Sequence, residues 1–135
     1  MVKIFKRLLL IFTCIVSQAK ANEFIGTWQL VSGEYLNDKG KRVNYKSLNL
    51  RSIKVISKTH FSFVTMAGDK FWSSDAGRYR VTDNQYIETA LHTSYSAPKG
   101  KEYVFTFKIE DDIWYSSRME NGVRVEYEVW HRTID

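Results

Sequence analysis

Glu88 and His92 are the two residues whose types and spacing come closest to a chemical site. They lie in a segment that alternates like a β-strand, so Tyr86, Glu88 and His92 share one face. If that face is turned inward, a carboxylate and an imidazole lie beside a tyrosine and can orient the polar head of a ligand. If it is turned to solvent, Ile87 and Leu91 point inward instead. The sequence leaves both orientations open.

Other residues that commonly carry catalysis are scattered. An enzyme built on Glu88 and His92 requires both side chains in one pocket. No G-x-S-x-G motif and no phosphate-binding glycine loop occurs, and Asp111-Asp112 lies between two strand-like segments, as is typical of a turn. The histidines show no metal-ligand spacing: His60, His92 and His131. We therefore expect no enzymatic activity, no metal and no cofactor.

Aromatic side chains are abundant, at 15% of the chain. Many of them fall in strand-like segments and could either fill the interior of the fold or line a ligand site. The tyrosines favour a site slightly, because a buried hydroxyl needs a hydrogen-bond partner. The aromatic candidates are Phe61, Phe63, Tyr79, Tyr86, Tyr103, Phe105, Phe107, Trp114 and Tyr127.

The elements that position these residues are short strands bounded by turn residues. Period-2 segments cover residues 27–35, 51–57, 59–66, 77–81 (preceded by Phe71-Trp72), 85–92, 102–109, 113–118 and 123–132. Asn121-Gly122 is a strong hairpin signal. The longer connection over residues 36–50 has room for one short helical turn. Short connections predict antiparallel neighbours, and closure removes exposed edges. The sequence therefore predicts an all-β, eight-stranded antiparallel up-and-down β-barrel.

Residues 1–21 have the three parts of a signal peptide. Lys3, Lys6 and Arg7 precede an apolar run over residues 8–16, and Ala19-Lys20-Ala21 has the form of a cleavage site. The run is shorter than the roughly 20 residues that a bilayer span needs. We expect a secreted or periplasmic protein whose one domain, residues 22–135, has no stable membrane span.

Charge excludes a nucleic-acid binder. The chain has 20 Lys and Arg against 15 Asp and Glu, and four of the basic residues lie in the predicted signal. The mature chain is then 16 against 15, and it lacks the basic field that nucleic-acid binding requires. We expect a monomer or a weak homodimer.

Gly26-Thr27-Trp28 resembles the G-x-W motif of the calycin superfamily, which includes the lipocalins. Further positions resemble small exported bacterial lipocalin-like proteins: Gly77-Arg78-Tyr79, 85–88, Tyr103, Phe105, Phe107, Ile113-Trp114 and 128–130. The resemblance implies that Trp28 lies on the first strand and closes one end of the barrel beside Gly26. It also implies an arginine stacked on that indole, with Arg132 the best candidate and Arg124 the weaker one.

Two functions remain open from the sequence. The first is a binder of a small apolar or amphipathic ligand inside the barrel, with contacts from Phe61, Phe63, Tyr79, Tyr86, Glu88, His92, Tyr103, Phe105, Trp114 and Tyr127. The second is a protein-interaction or inhibitor module with a barrel filled by side chains. That module would act through loops such as residues 37–46 and 94–101, where Ser94, Tyr95 and Ser96 are contact candidates. The presence or absence of an interior cavity distinguishes the two.

Overall fold

The computed structural model describes residues 20–134, so the predicted signal, apart from Lys20 and Ala21, lies outside the described residues. Residues 20–22 form a helical turn that leads into the first strand. The strands that follow are β1 (Gly26–Leu36), β2 (Arg42–Asn44), β3 (Leu50–Ile56), β4 (His60–Ala67), β5 (Lys70–Val81), β6 (Gln85–Thr93), β7 (Glu102–Glu110), β8 (Ile113–Glu120) and β9 (Val123–Arg132). No helix among these residues is long and apolar enough to cross a membrane.

Eight of the strands form a closed antiparallel barrel, which confirms the predicted fold class. Each pairs with its neighbour in the order β1, β3, β4, β5, β6, β7, β8, β9, and β9 pairs back with β1. The short strand β2 extends the sheet beside the end of β1, where Leu36 lies opposite Arg42.

The strand bounds follow the alternating segments closely. The two differences both lie at one end of the barrel. Residues 70–81 form one continuous strand, and the connection over residues 37–49 contains the additional short strand β2. The same connection also contains the 3-10 turn Tyr45–Leu48, in agreement with the short helical turn expected there. Asn44 caps that turn, because its side chain accepts a hydrogen bond from the Lys46 amide.

The end of the barrel where β1 begins is packed solid with aromatic rings. Phe24 is fully buried and stacks on Tyr86 at 4.8 Å, and it meets Trp114 edge-on at 5.0 Å. Trp28 packs edge-on against Trp114 at 5.5 Å and donates its indole N–H to the Phe24 carbonyl. Edge-to-face and offset-stacked pairs of this kind add to the free energy gained by burial. These buried rings form an aromatic floor beneath the rest of the barrel.

Arg132 fastens the N-terminal segment to the closed end. Its guanidinium lies 4.2 Å from the Trp28 ring centroid, and its two terminal nitrogens donate to the carbonyls of Ile25 and Glu23. Gly26 has φ +139°, and a Cβ there would lie 2.9 Å from Arg132 Nη1. The glycine is therefore required by both its backbone conformation and the close approach of the arginine.

Candidate functional site

A cavity of about 460 Å³ occupies the half of the barrel opposite the aromatic floor. It opens at the end where β4 turns into β5 and β6 turns into β7, and Trp72 and Tyr95 lie at this mouth. Its walls combine apolar and hydrogen-bonding side chains, among them Leu30, Phe63 and Phe105. Pockets for small organic ligands have this size and mixed lining.

An ion pair lies at the base of the cavity. Lys54, on β3, donates from Nζ to Glu88 Oε1 on β6 at 2.8 Å, and both side chains are about 95% buried. Tyr86 donates its hydroxyl to the same carboxylate oxygen at 3.0 Å. The Lys54 ammonium also lies 5.0–5.8 Å from four aromatic ring centroids, those of Phe63, Tyr86, Trp114 and Trp130. The aromatic floor and the cavity therefore meet at one buried cation.

The two charges of this pair depend on each other. Burial is the largest single influence on the pKa of Lys54 and lowers it, but the carboxylates of Glu88, Glu128 and Glu126 together raise this pKa above its ordinary value. Burial also raises the pKa of Glu88, against the lowering effects of Lys54 and the Tyr86 hydroxyl. A buried charge without its partner is strongly unfavourable, so each residue keeps the other in place.

Glu128, on β9, is a second inward carboxylate. Oε1 accepts the Tyr45 hydroxyl at 3.0 Å, and Oε2 accepts the Trp130 indole N–H at 2.9 Å. Burial and the nearby Glu126 carboxylate raise the pKa of Glu128 to about 8. At neutral pH this group therefore holds a proton more readily than an ordinary glutamate does.

Arg118 and its acidic neighbours lie closer to the mouth. Arg118 Nε donates to Glu126 Oε2 at 3.0 Å, and its Nη1 is paired with Glu120. Its guanidinium also lies 5.5 Å from the Tyr103 ring centroid. The single arginine is thus shared between two carboxylates.

Two further polar contacts lie in the same half of the barrel. Tyr95 donates its hydroxyl to Asp75 Oδ2 at 2.7 Å, and burial raises the pKa of Asp75. Thr65 donates to Ser52, which donates in turn to the Val64 carbonyl. These contacts fix the positions of side chains that face or flank the cavity.

The structure separates the ten predicted ligand contacts into three groups. Four line the cavity: Phe63, Glu88, Tyr103 and Phe105. Four belong to the packed core beneath it: Phe61, Tyr79, Tyr86 and Trp114. The remaining two do not face the interior: His92 and Tyr127.

His92 is turned out of the barrel by a β-bulge. Ala76 lies opposite His92, but Gly77 lies opposite Ala90, so Leu91 is an extra residue on β6. Leu91 and His92 both line a shallow groove on the outside of the barrel. The inward alternation of β6 therefore ends before His92, and the predicted pairing of Glu88 with His92 in one pocket is wrong.

Tyr127 faces the opposite side from the residues that line the cavity. Its sequence neighbours Glu126 and Glu128 line the cavity, whereas the Arg124 guanidinium lies 4.8 Å from the Tyr127 ring centroid. A second bulge makes Val125 an extra residue on β9 and changes the phase of the alternation. The prediction that Tyr127 lies inside the barrel is therefore wrong.

Sequence reasoning missed Lys54, Tyr45 and Glu128. Lys54 lies between Ile53 and Val55, which are both about half exposed, so the more apolar face of this part of β3 is the outer one. The sequence feature that could have indicated an inward Lys54 is Ile56, an apolar residue on the same face of β3 that is buried. For Glu128 the corresponding feature is Trp130, which lies two residues further along β9, therefore on the same face, and is buried at the aromatic floor.

No group of three or more His, Cys, Asp or Glu side chains within residues 20–134 is arranged to hold a metal ion. The ionisable side chains of the cavity are instead arranged as one ion pair, one shared arginine and one hydrogen-bonded carboxyl group. Such an arrangement suits hydrogen-bonded recognition of an organic molecule.

No protein-family model matches this chain, and no curated protein matches it. Among solved structures the chain is similar to a protein described as a de novo designed fluorescence-activating β-barrel, with 17% sequence identity and a TM-score of 0.47. The match covers 84% of this chain and 96% of the designed chain. A likeness at this level carries no information about a ligand.

Proposed function

We propose that this protein binds one small amphipathic molecule inside its barrel. The observation that carries the proposal is the cavity of about 460 Å³, open at one end and lined on all sides by strands of the barrel. Eight-stranded barrels are either filled by side chains or hold one small ligand. A cavity of this volume supports the second case.

The lining supports an amphipathic ligand over a purely apolar one. Leu30, Phe63 and Phe105 offer apolar contact, whereas Lys54 and Glu128 present hydrogen-bonding groups from β3 and β9. A purely apolar ligand would bury these polar groups further without offering them a hydrogen-bond partner, which costs free energy. A ligand with one polar group avoids that cost.

The proposal extends to an exported, lipocalin-like carrier that catalyses no reaction. Residues 1–21, which resemble a signal peptide, support export. The Gly26-x-Trp28 motif, with the Arg132 guanidinium against the Trp28 ring, supports a lipocalin-like protein. The alternative, an interaction module acting through its loops, requires a barrel filled by side chains. The cavity weighs against that alternative.

The test uses two variants on one strand and a neutral fluorescent dye, Nile red. Leu50 lines the cavity, so Leu50→Trp places a large ring inside it. Ile53 is 54% exposed on the outside of the same strand, so Ile53→Trp is the matched control. Both variants are made in the protein expressed from its full coding sequence.

We expect Leu50→Trp to weaken Nile red binding by roughly tenfold or more, because the added ring occupies space that the dye needs. Ile53→Trp should bind the dye as the unaltered protein does. Equal binding by the two variants would place the dye outside the cavity and would contradict the proposal.

A further inference from the structure

The cations and carboxylates that line the cavity are unevenly paired. Lys54 is matched by Glu88, and Arg118 is shared between Glu126 and Glu120. The remaining lining cation, Lys101, lies in an exposed connection and packs its ammonium 5.0 Å from the Tyr103 ring centroid, at the mouth. The interior therefore holds more carboxyl groups than cations.

Of the carboxyl groups that line the cavity, Glu128 is the one that has no ion-pair partner among the described residues. Among residues 20–134 no lysine or arginine nitrogen lies within 4.0 Å of its oxygens, whereas the neighbouring carboxylates Glu88 and Glu126 each have such a partner. The elevated pKa of Glu128 is consistent with this, because burial and Glu126 raise it and Lys54 only partly offsets them. A cation placed beside Glu128 would relieve the imbalance.

The oxygens of Glu128 are oriented and still have free acceptor capacity. Each accepts one hydrogen bond, from Tyr45 and from Trp130, and a carboxylate oxygen can accept two. The donors are themselves aromatic, so an ammonium group at Glu128 would also lie near the rings of Tyr45 and Trp130. Carboxylate oxygens together with aromatic faces form the usual protein environment for bound ammonium groups.

We propose that the ligand carries an ammonium group, held by Glu128 at the wall of the cavity with its apolar part against Phe63 and Phe105. This inference rests on the proposed function and specifies its ligand class. A ligand carboxylate finds no unpaired cation there, since Lys54 is already paired with Glu88. Once Glu128 is ionised, above its pKa of about 8, it also repels a ligand carboxylate. An alcohol of the same length gains the apolar contacts but not the ion pair.

The test compares decylamine, decanol and decanoate, which share one alkyl chain and differ in the head group. Binding of each to the protein expressed from its full coding sequence is measured by calorimetry at about pH 9, where Glu128 is ionised and an alkylammonium group keeps its charge. We expect decylamine to bind roughly tenfold or more tightly than decanol, because a charged hydrogen bond adds to the shared apolar contacts. Decanoate should bind most weakly.

Glu128→Gln separates the ion pair from the rest of the cavity. The amide keeps the size of the side chain and can still hydrogen-bond Tyr45 and Trp130. Glu110→Gln is the matched control, because it removes the same charge from an exposed position at the closed end. We expect Glu128→Gln to abolish the preference for decylamine over decanol and Glu110→Gln to retain it.

The outcomes distinguish the inference from the function on which it rests. If decanol or decanoate binds as tightly as decylamine, or if Glu128→Gln keeps the preference, the ammonium assignment is overturned and cavity binding stands. If neither the decyl probes nor Nile red bind, both are overturned. Circular dichroism of the two variants confirms that each is folded when its binding is measured.

Discussion

The Lys54 ammonium and the Glu88 carboxylate lie 2.8 Å apart inside the barrel, with about 5% of each side chain exposed. They come from β3 and β6, which are not neighbours in the sheet, so the pair crosses the interior. Its position between the aromatic floor and the cavity makes it the structural base of the proposed site.

Lys54→Met should therefore destabilise the protein strongly. The substitution leaves Glu88 buried without a cation, and breaking a buried pair in this way costs about 3–5 kcal/mol. The free energy of unfolding is measured by urea denaturation. The double variant Lys54→Met with Glu88→Gln should recover a large part of the loss, because no unpaired charge remains. A double variant as unstable as Lys54→Met would contradict the paired arrangement.

Arg132→Gln should loosen the N-terminal segment from the closed end. The change removes the contact with the Trp28 ring and the hydrogen bonds to the carbonyls of Ile25 and Glu23. We expect a loss of about 1–3 kcal/mol in the free energy of unfolding and faster hydrogen exchange at residues 23–26. Arg80→Gln, which removes an exposed ion pair with Glu102, is the control and should change stability by less than about 1 kcal/mol. Equal effects of the two substitutions would exclude a special role for Arg132.

Gly77→Ala should disrupt the bulge between β5 and β6. A Cβ at Gly77 would lie 2.0 Å from the Thr89 carbonyl oxygen, which is backbone and cannot move aside without shifting the strand. We expect a destabilisation of about 1–3 kcal/mol, measured as a lower urea midpoint. An unchanged midpoint would mean that the strands do not approach each other so closely at the bulge.

Stability should fall as the pH rises from acidic to mildly basic. The pKa of Glu128 is about 8 in the folded protein, against 4.5 for an ordinary glutamate, so the folded state binds more protons between these values. Its contribution to stability is present below about pH 4.5 and is lost as the pH rises through about 8. The raised pKa values of Glu88 and Asp75 have the same sign.

The groups that face Glu128 determine the size of this effect: Tyr45, Glu126 and Trp130, with Lys54 acting from β3. Unfolding free energies of the unaltered protein and of Glu128→Gln, measured across this pH range, isolate the contribution of Glu128. The variant should show a shallower decline, by about 1–3 kcal/mol over the range. Parallel curves would show that Glu128 titrates as an ordinary surface acid.

Alternation along the chain was sufficient to predict the eight strands of the barrel, although not the short strand β2. The inward faces of β4 and β7 could be predicted because Phe61, Phe63, Tyr103 and Phe105 give each of them one clearly apolar side. That face must be buried in any closed sheet with a solvated exterior. The fold class therefore follows from local pattern alone.

The polar half of the interior could not be predicted in the same way. Two bulges, at Leu91 and Val125, change which face of β6 and β9 points inward, and a bulge leaves no clear mark in a single sequence. Lys54 is buried because Glu88 lies opposite it in three dimensions, a pairing between residues 34 positions apart. A hydropathy pattern carries no information about such a partner.

The most direct test of cavity binding uses the four tryptophan indoles as reporters in nitrogen–proton NMR spectra. Trp130 lines the cavity and Trp72 lies at its mouth, whereas Trp28 donates its indole N–H to Phe24 at the closed end. On titration with decylamine or decanol, we predict that the indole resonances of Trp130 and Trp72 shift while that of Trp28 stays in place. Saturation with either probe without a shift at Trp130 would contradict binding inside the barrel.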